Sequence, residues 1–70
     1  MNEELLNIQV RKFLKQVGIK SQREIENSIK LKFEKGLLDK IDVLDVSVLL
    51  EIDKIGLKVP IKGKIEIKGN

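Results

Sequence analysis

Apolar residues recur along this chain with two different periods, and the change of period divides it. Leu6, Val10, Phe13, Leu14 and Val17 return at helical spacing, with Arg11, Lys12, Lys15 and Gln16 on the polar side. Asn2 is placed as an N-cap, and Glu3 and Glu4 suit the positive end of a helix dipole. Gly18 then offers a left-handed stop, and Ser21-Gln22-Arg23-Glu24 has the form of a capping box. The pattern therefore predicts one helix over about 3–17 and a second over about 22–35. The second has Ile25, Ile29 and Phe33 as its inner face and Gly36 as its stop. Leu37, Leu38 and Ile41 form an apolar connector expected to tuck under the domain.

From Val43 the period becomes two. Leu44, Val46, Val48, Leu50 and Ile52 alternate with Asp45, Ser47, Leu49, Glu51 and Asp53, and Leu57, Val59, Ile61, Gly63, Ile65 and Ile67 alternate with Lys58, Pro60, Lys62, Lys64 and Glu66. With Asp53-Lys54-Ile55-Gly56 as a four-residue loop, Ile52 faces Leu57, Leu50 faces Val59, Val48 faces Ile61 and Leu44 faces Ile65. The same register sets Glu51 against Lys58 and Asp45 against Lys64, so apolar patterning and charge pairing choose one alignment. Pro60 has no N–H to give a ladder, so its nitrogen is expected to face away from the partner strand or to lie at a bulge. Gly69 and Asn70 are expected to fray. The expected fold is α+β, a single domain over 1–70 of order α-α-β-β. Its two helices pack on one face of an antiparallel hairpin of about 43–53 and 57–67.

Composition narrows the chemistry. The chain has 70 residues with no Cys, His, Trp or Tyr. That removes thiolate and imidazole metal ligands, nucleophilic Cys and the commonest general base. Asp39, Asp42 and Asp45 are spaced by three, which matches no cation loop derivable from spacing, and no glycine-rich phosphate loop occurs. The expectation is a non-enzymatic protein with no cofactor and no metal. No apolar run is long enough to span a bilayer and no secretory apolar block opens the chain, which favours a cytoplasmic location without membrane contact.

The net charge is +3. Residues 1–40 carry nine basic and six acidic residues, and residues 41–70 carry five of each, so the excess sits on the helical part. Both signs are interspersed, as on an ordinary solvated surface.

The run Arg11-Lys12-Phe13-Leu14-Lys15-Gln16-Val17-Gly18-Ile19-Lys20-Ser21-Gln22-Arg23-Glu24-Ile25-Glu26 resembles a family of short bacterial proteins classed as a domain of unknown function. Leu50-Glu51-Ile52, Gly56-Leu57 and Gly63-Lys64-Ile65-Glu66 are similar to that family as well. The resemblance covers nearly the whole chain and implies no catalytic or binding residue.

Two functional readings follow. In the first, Leu5, Ile8, Leu31 and Leu49 lie off the core stripes and serve self-association. The expected partner is then a second copy or another protein, because small domains commonly gain burial by oligomerising. The alternative is a minimal helix-turn-helix-like nucleic-acid binder with the hairpin as a wing. Gln22, Arg23 and Asn27 would read bases, and Arg11, Lys12, Lys15, Lys20 and Lys30 would meet phosphates.

Overall fold

The computed structural model describes residues 1–68. Gly69 and Asn70, expected to fray, lie outside the described residues. The chain divides into a helical unit, Met1–Leu37, and a hairpin unit that begins at Leu38.

The helical unit corrects the sequence expectation. One continuous helix, α1, runs Glu3–Glu34, and there is no second α-helix among the described residues. The element order is α-β-β, not α-α-β-β. Gly18 does not turn: the only described glycines with positive φ are Gly36 and Gly56. Ser21, expected to cap a new helix, lies inside the old one. The physical reason is the hydrogen-bond ladder. A glycine inside a helix costs about 1 kcal/mol relative to alanine. A break would orphan about four N–H groups on one side and four C=O groups on the other. A capping box returns only about 0.5–2 kcal/mol of that loss. Keeping the ladder intact through Gly18 is therefore the smaller cost.

The ends of α1 are where the sequence places them. The Leu5 N–H donates to Asn2 Oδ1 at 3.0 Å, the cap expected of Asn2. At the other end Gly36 takes φ 72°. The Leu37 N–H donates to the Lys32 carbonyl at 3.1 Å, and the Gly36 N–H donates to the Phe33 carbonyl at 3.0 Å. These two bonds form a Schellman motif, which needs a left-handed residue and so selects glycine. At 1.5 Å per residue α1 is about 48 Å long. None of its residues is buried.

In the hairpin unit, β1 (Val43–Ile52) and β2 (Leu57–Glu66) pair antiparallel. Their register is the one read from the sequence: Ile52 opposite Leu57, Leu50 opposite Val59, Val48 opposite Ile61, and Leu44 opposite Ile65. Asp53–Ile55 make a single 3₁₀ turn, and Gly56 closes the loop at φ 68°, its N–H donating to the Asp53 carbonyl at 3.1 Å. Lys64 Nζ lies 2.9 Å from Asp45 Oδ1 on the polar face.

Leu49 stands opposite Pro60. Alternate pairs of an antiparallel ladder exchange no N–H···O bonds, and a proline fits only there, with its nitrogen side turned outward. The outward-facing backbone positions of β2 are therefore Lys58, Pro60, Lys62, Lys64 and Glu66. Those of β1 are Val43, Asp45, Ser47, Leu49 and Glu51.

Within this unit the connector is drawn in, as expected of its apolar residues. Leu38 is 8% exposed, the one buried hydrophobic side chain among the described residues, and Ile41 is half-buried. The Ile67 N–H donates to the Asp42 carbonyl at 2.9 Å, and Lys68 Nζ reaches both Asp42 Oδ1, at 3.4 Å, and the Asp39 carbonyl. Leu37, by contrast, is exposed. The apolar hairpin face is half open, with Val48, Ile52, Val59 and Ile61 all exposed.

Candidate interaction surface

Continuity of α1 changes which of its side chains share a face. At 100° per residue, Leu6, Val10, Phe13, Leu14 and Val17 form one stripe, and Ile25, Ile29 and Phe33 form another about 120° further round. On two helices each would be an inner face; on one helix they point in different directions.

A longer pattern runs beneath this. Leu6, Val10, Phe13, Val17, Lys20, Glu24, Asn27 and Leu31 follow one another at alternating spacings of four and three. They fall within an arc of about 100° and have the spacing of the a and d positions of a coiled-coil seam. Phe13 is 55% exposed and Leu31 49%, and Leu6 and Val10 are exposed as well. Two opposite charges, Lys20 and Glu24, sit in the middle of the line.

The residues expected to mediate self-association fall on both units, Leu5, Ile8 and Leu31 on α1 and Leu49 on the hairpin. Leu5 and Ile8 lie outside the seam arc, toward Lys12 and Lys15. Ile8, Arg11, Lys12 and Lys15 line one shallow surface depression. Leu31 lies about 80° round from Leu5 and about 140° from Ile8, and it shares its angular position with Phe13, about five turns earlier. Leu49 belongs to β1, on the face with Asp45, Ser47 and Glu51. Of the four, the seam uses Leu31. The sequence signal for the rest of it was the four-three spacing from Leu6 to Leu31, which an assumed break at Gly18 cuts in two.

The residues of the nucleic-acid alternative are also redistributed. With no turn at Gly18 there is no exposed first turn of a recognition helix, and Gln22, Arg23 and Asn27 are mid-helix positions. Arg11, Lys12, Lys15, Gln22, Arg23 and Lys30 fall within an arc of about 120°. Lys20 and Asn27 lie outside it. Glu26 lies within it, and its Oε1 accepts from Gln22 Nε2 at 3.1 Å.

Asp42 and Asp45 are each engaged by a lysine, Lys68 and Lys64. Among the described residues no three acidic side chains gather as a cation site. No helix among them is long and apolar enough to cross a membrane.

The model of a family of unknown function, DUF6494, matches residues 1–68. The chain belongs to that family. The match spans both the long helix and the hairpin of this chain. No curated protein and no solved structure matches the chain.

Proposed function

We propose that this protein is a non-enzymatic self-association module whose helix and hairpin present apolar faces to a second copy. The observation that carries the reading is the exposure of the helix. A 32-residue helix displays Leu6, Val10, Phe13, Leu14, Leu31 and Phe33 with none of its residues buried. Isolated helices in water are marginal, and most helical stability comes from packing an apolar face. A lone two-stranded ribbon is marginal for the same reason. Each unit by itself therefore calls for cover.

Light scattering coupled to size exclusion tests this. Detection must use refractive index, because the chain has no Trp or Tyr to absorb near 280 nm. A mass of two chains at micromolar concentration is expected; a one-chain mass across the accessible range refutes the reading.

A second reading, nucleic-acid binding, is supported by the basic arc of Arg11, Lys12, Lys15, Arg23 and Lys30. It requires binding that falls steeply as salt rises, since released counterions drive it. Retention on DNA or RNA that is absent at low salt, or unchanged at high salt, removes it.

A further inference from the structure

We infer that the second copy docks on the α1 seam in the antiparallel sense, with the dyad midway between Lys20 and Glu24, and with Lys20 of each chain against Glu24 of the other. This rests on the self-association reading above and adds orientation and register to it.

Three features carry it. The first is charge. Side by side in parallel register, Lys20 would meet Lys20 and Glu24 would meet Glu24, placing like charges in two successive seam layers. Reversing one helix about residue 22 turns both layers into Lys–Glu pairs. Charged or polar residues at single seam positions are the usual device for fixing orientation and register.

The second is apolar matching. The same reversal sets Phe13 against Leu31 of the other copy, twice by symmetry, and Val17 against Asn27, so the Phe13–Leu31 layers carry the apolar contact. Phe13 and Leu31 share one angular position on α1 and lie equally far from the Lys20–Glu24 pair, seven residues out on either side. Symmetry about a dyad demands that equality.

The third is area. The overlapping helices, residues 10–34, carry exposed Val10, Phe13 and Leu31, half-buried Val17, the stems of Lys20 and Glu24, and Leu14 on the flank. Complete cover of these removes on the order of 550 Å² per copy, about 1,100 Å² in total, just above the roughly 1,000 Å² that a specific interface should clear. Leu5 and Ile8 take no part, and Ile25, Ile29 and Phe33 also lie outside the seam arc.

Charge reversal tests this on the full chain. Lys20→Glu places a carboxylate against Glu24 of the partner, and Glu24→Lys places an ammonium against Lys20 of the partner; each is expected to raise the dimer Kd at least tenfold. The double variant Lys20→Glu/Glu24→Lys recreates both opposed pairs and is expected to return the Kd to near the starting value. Far-UV circular dichroism, at a chain concentration above each variant's Kd, confirms that each variant keeps its helix. In a parallel seam every single variant still has two like-charge layers, as the starting protein does, and leaves the Kd where it was. A dimer whose Kd ignores the single changes therefore overturns the antiparallel register while leaving self-association intact. A dimer weakened by the single changes but not recovered by the double overturns the Lys20–Glu24 pairing. A monomeric starting protein, with the seam covered within its own chain or by another protein, overturns both.

Discussion

Replacing Gly18 with alanine distinguishes one continuous helix from a helical corner by the sign of a single measurement. Gly18 lies in the middle of α1 with negative φ, and a Cβ built on it meets no atom within 4 Å. The new methyl group therefore causes no strain. It removes the unfolded-state freedom of glycine and restores helix propensity, worth about 0.8–1.0 kcal/mol. Gly18 is also about 130° from the centre of the seam, so the methyl does not enter the docked face. For a chain of this size that corresponds to a rise in Tm of about 4–8 °C. The assay is a far-UV circular dichroism melt at one fixed chain concentration, because association makes Tm depend on concentration. Gly36→Ala is the internal control. Its φ of 72° is left-handed, where alanine is disfavoured by about 1–2 kcal/mol, so its Tm should fall. A Tm that falls for Gly18→Ala as it does for Gly36→Ala would mean that Gly18 is a cap, and the continuous helix would be wrong.

Asn2→Ala removes the acceptor of the Leu5 N–H and should lower stability by about 0.5–2 kcal/mol in a denaturant titration. Leu38→Ala empties the one buried apolar position found among the described residues and should cost about 2–4 kcal/mol; a loss under about 0.5 kcal/mol would show that Leu38 is not packed. Asp45→Asn breaks an ion pair whose side chains are 74% and 86% exposed, so its effect should stay below about 1 kcal/mol and vanish in high salt. Leu49→Lys changes a residue on the polar hairpin face and should leave both fold and dimer mass unaltered; a monomer would bring the polar hairpin face into the contact surface.

The hairpin was legible because independent signals agreed on it. Alternation from Leu44 to Ile52, the pairing of Asp45 with Lys64, and the turn glycine at Gly56 each demand the same register. The two true ends of α1 were legible for a similar reason, since Asn2 and Gly36 satisfy orphaned backbone groups locally. The middle of α1 was not. Gly18 and the Ser21–Glu24 spacing are local features of a helix boundary, yet what decides the outcome is the cost of breaking a ladder that extends a turn or more on both sides. That error also hid the seam. Segmented at Gly18, Leu31 falls outside an inner face and Glu24 becomes a cap; joined, they sit on one line with Phe13 and Lys20.

The two long margins of the ribbon are not equivalent. Growth of a fibre by lateral addition needs every unit to accept a neighbour on both flanks. On β2 the ring of Pro60 interrupts the row of donors, and Lys58, Lys62 and Lys64 repel the same margin of another chain. On β1 no proline or lysine stands guard. Lateral addition through the ribbon therefore terminates after one step, which keeps a sticky two-stranded sheet from seeding open-ended polymer.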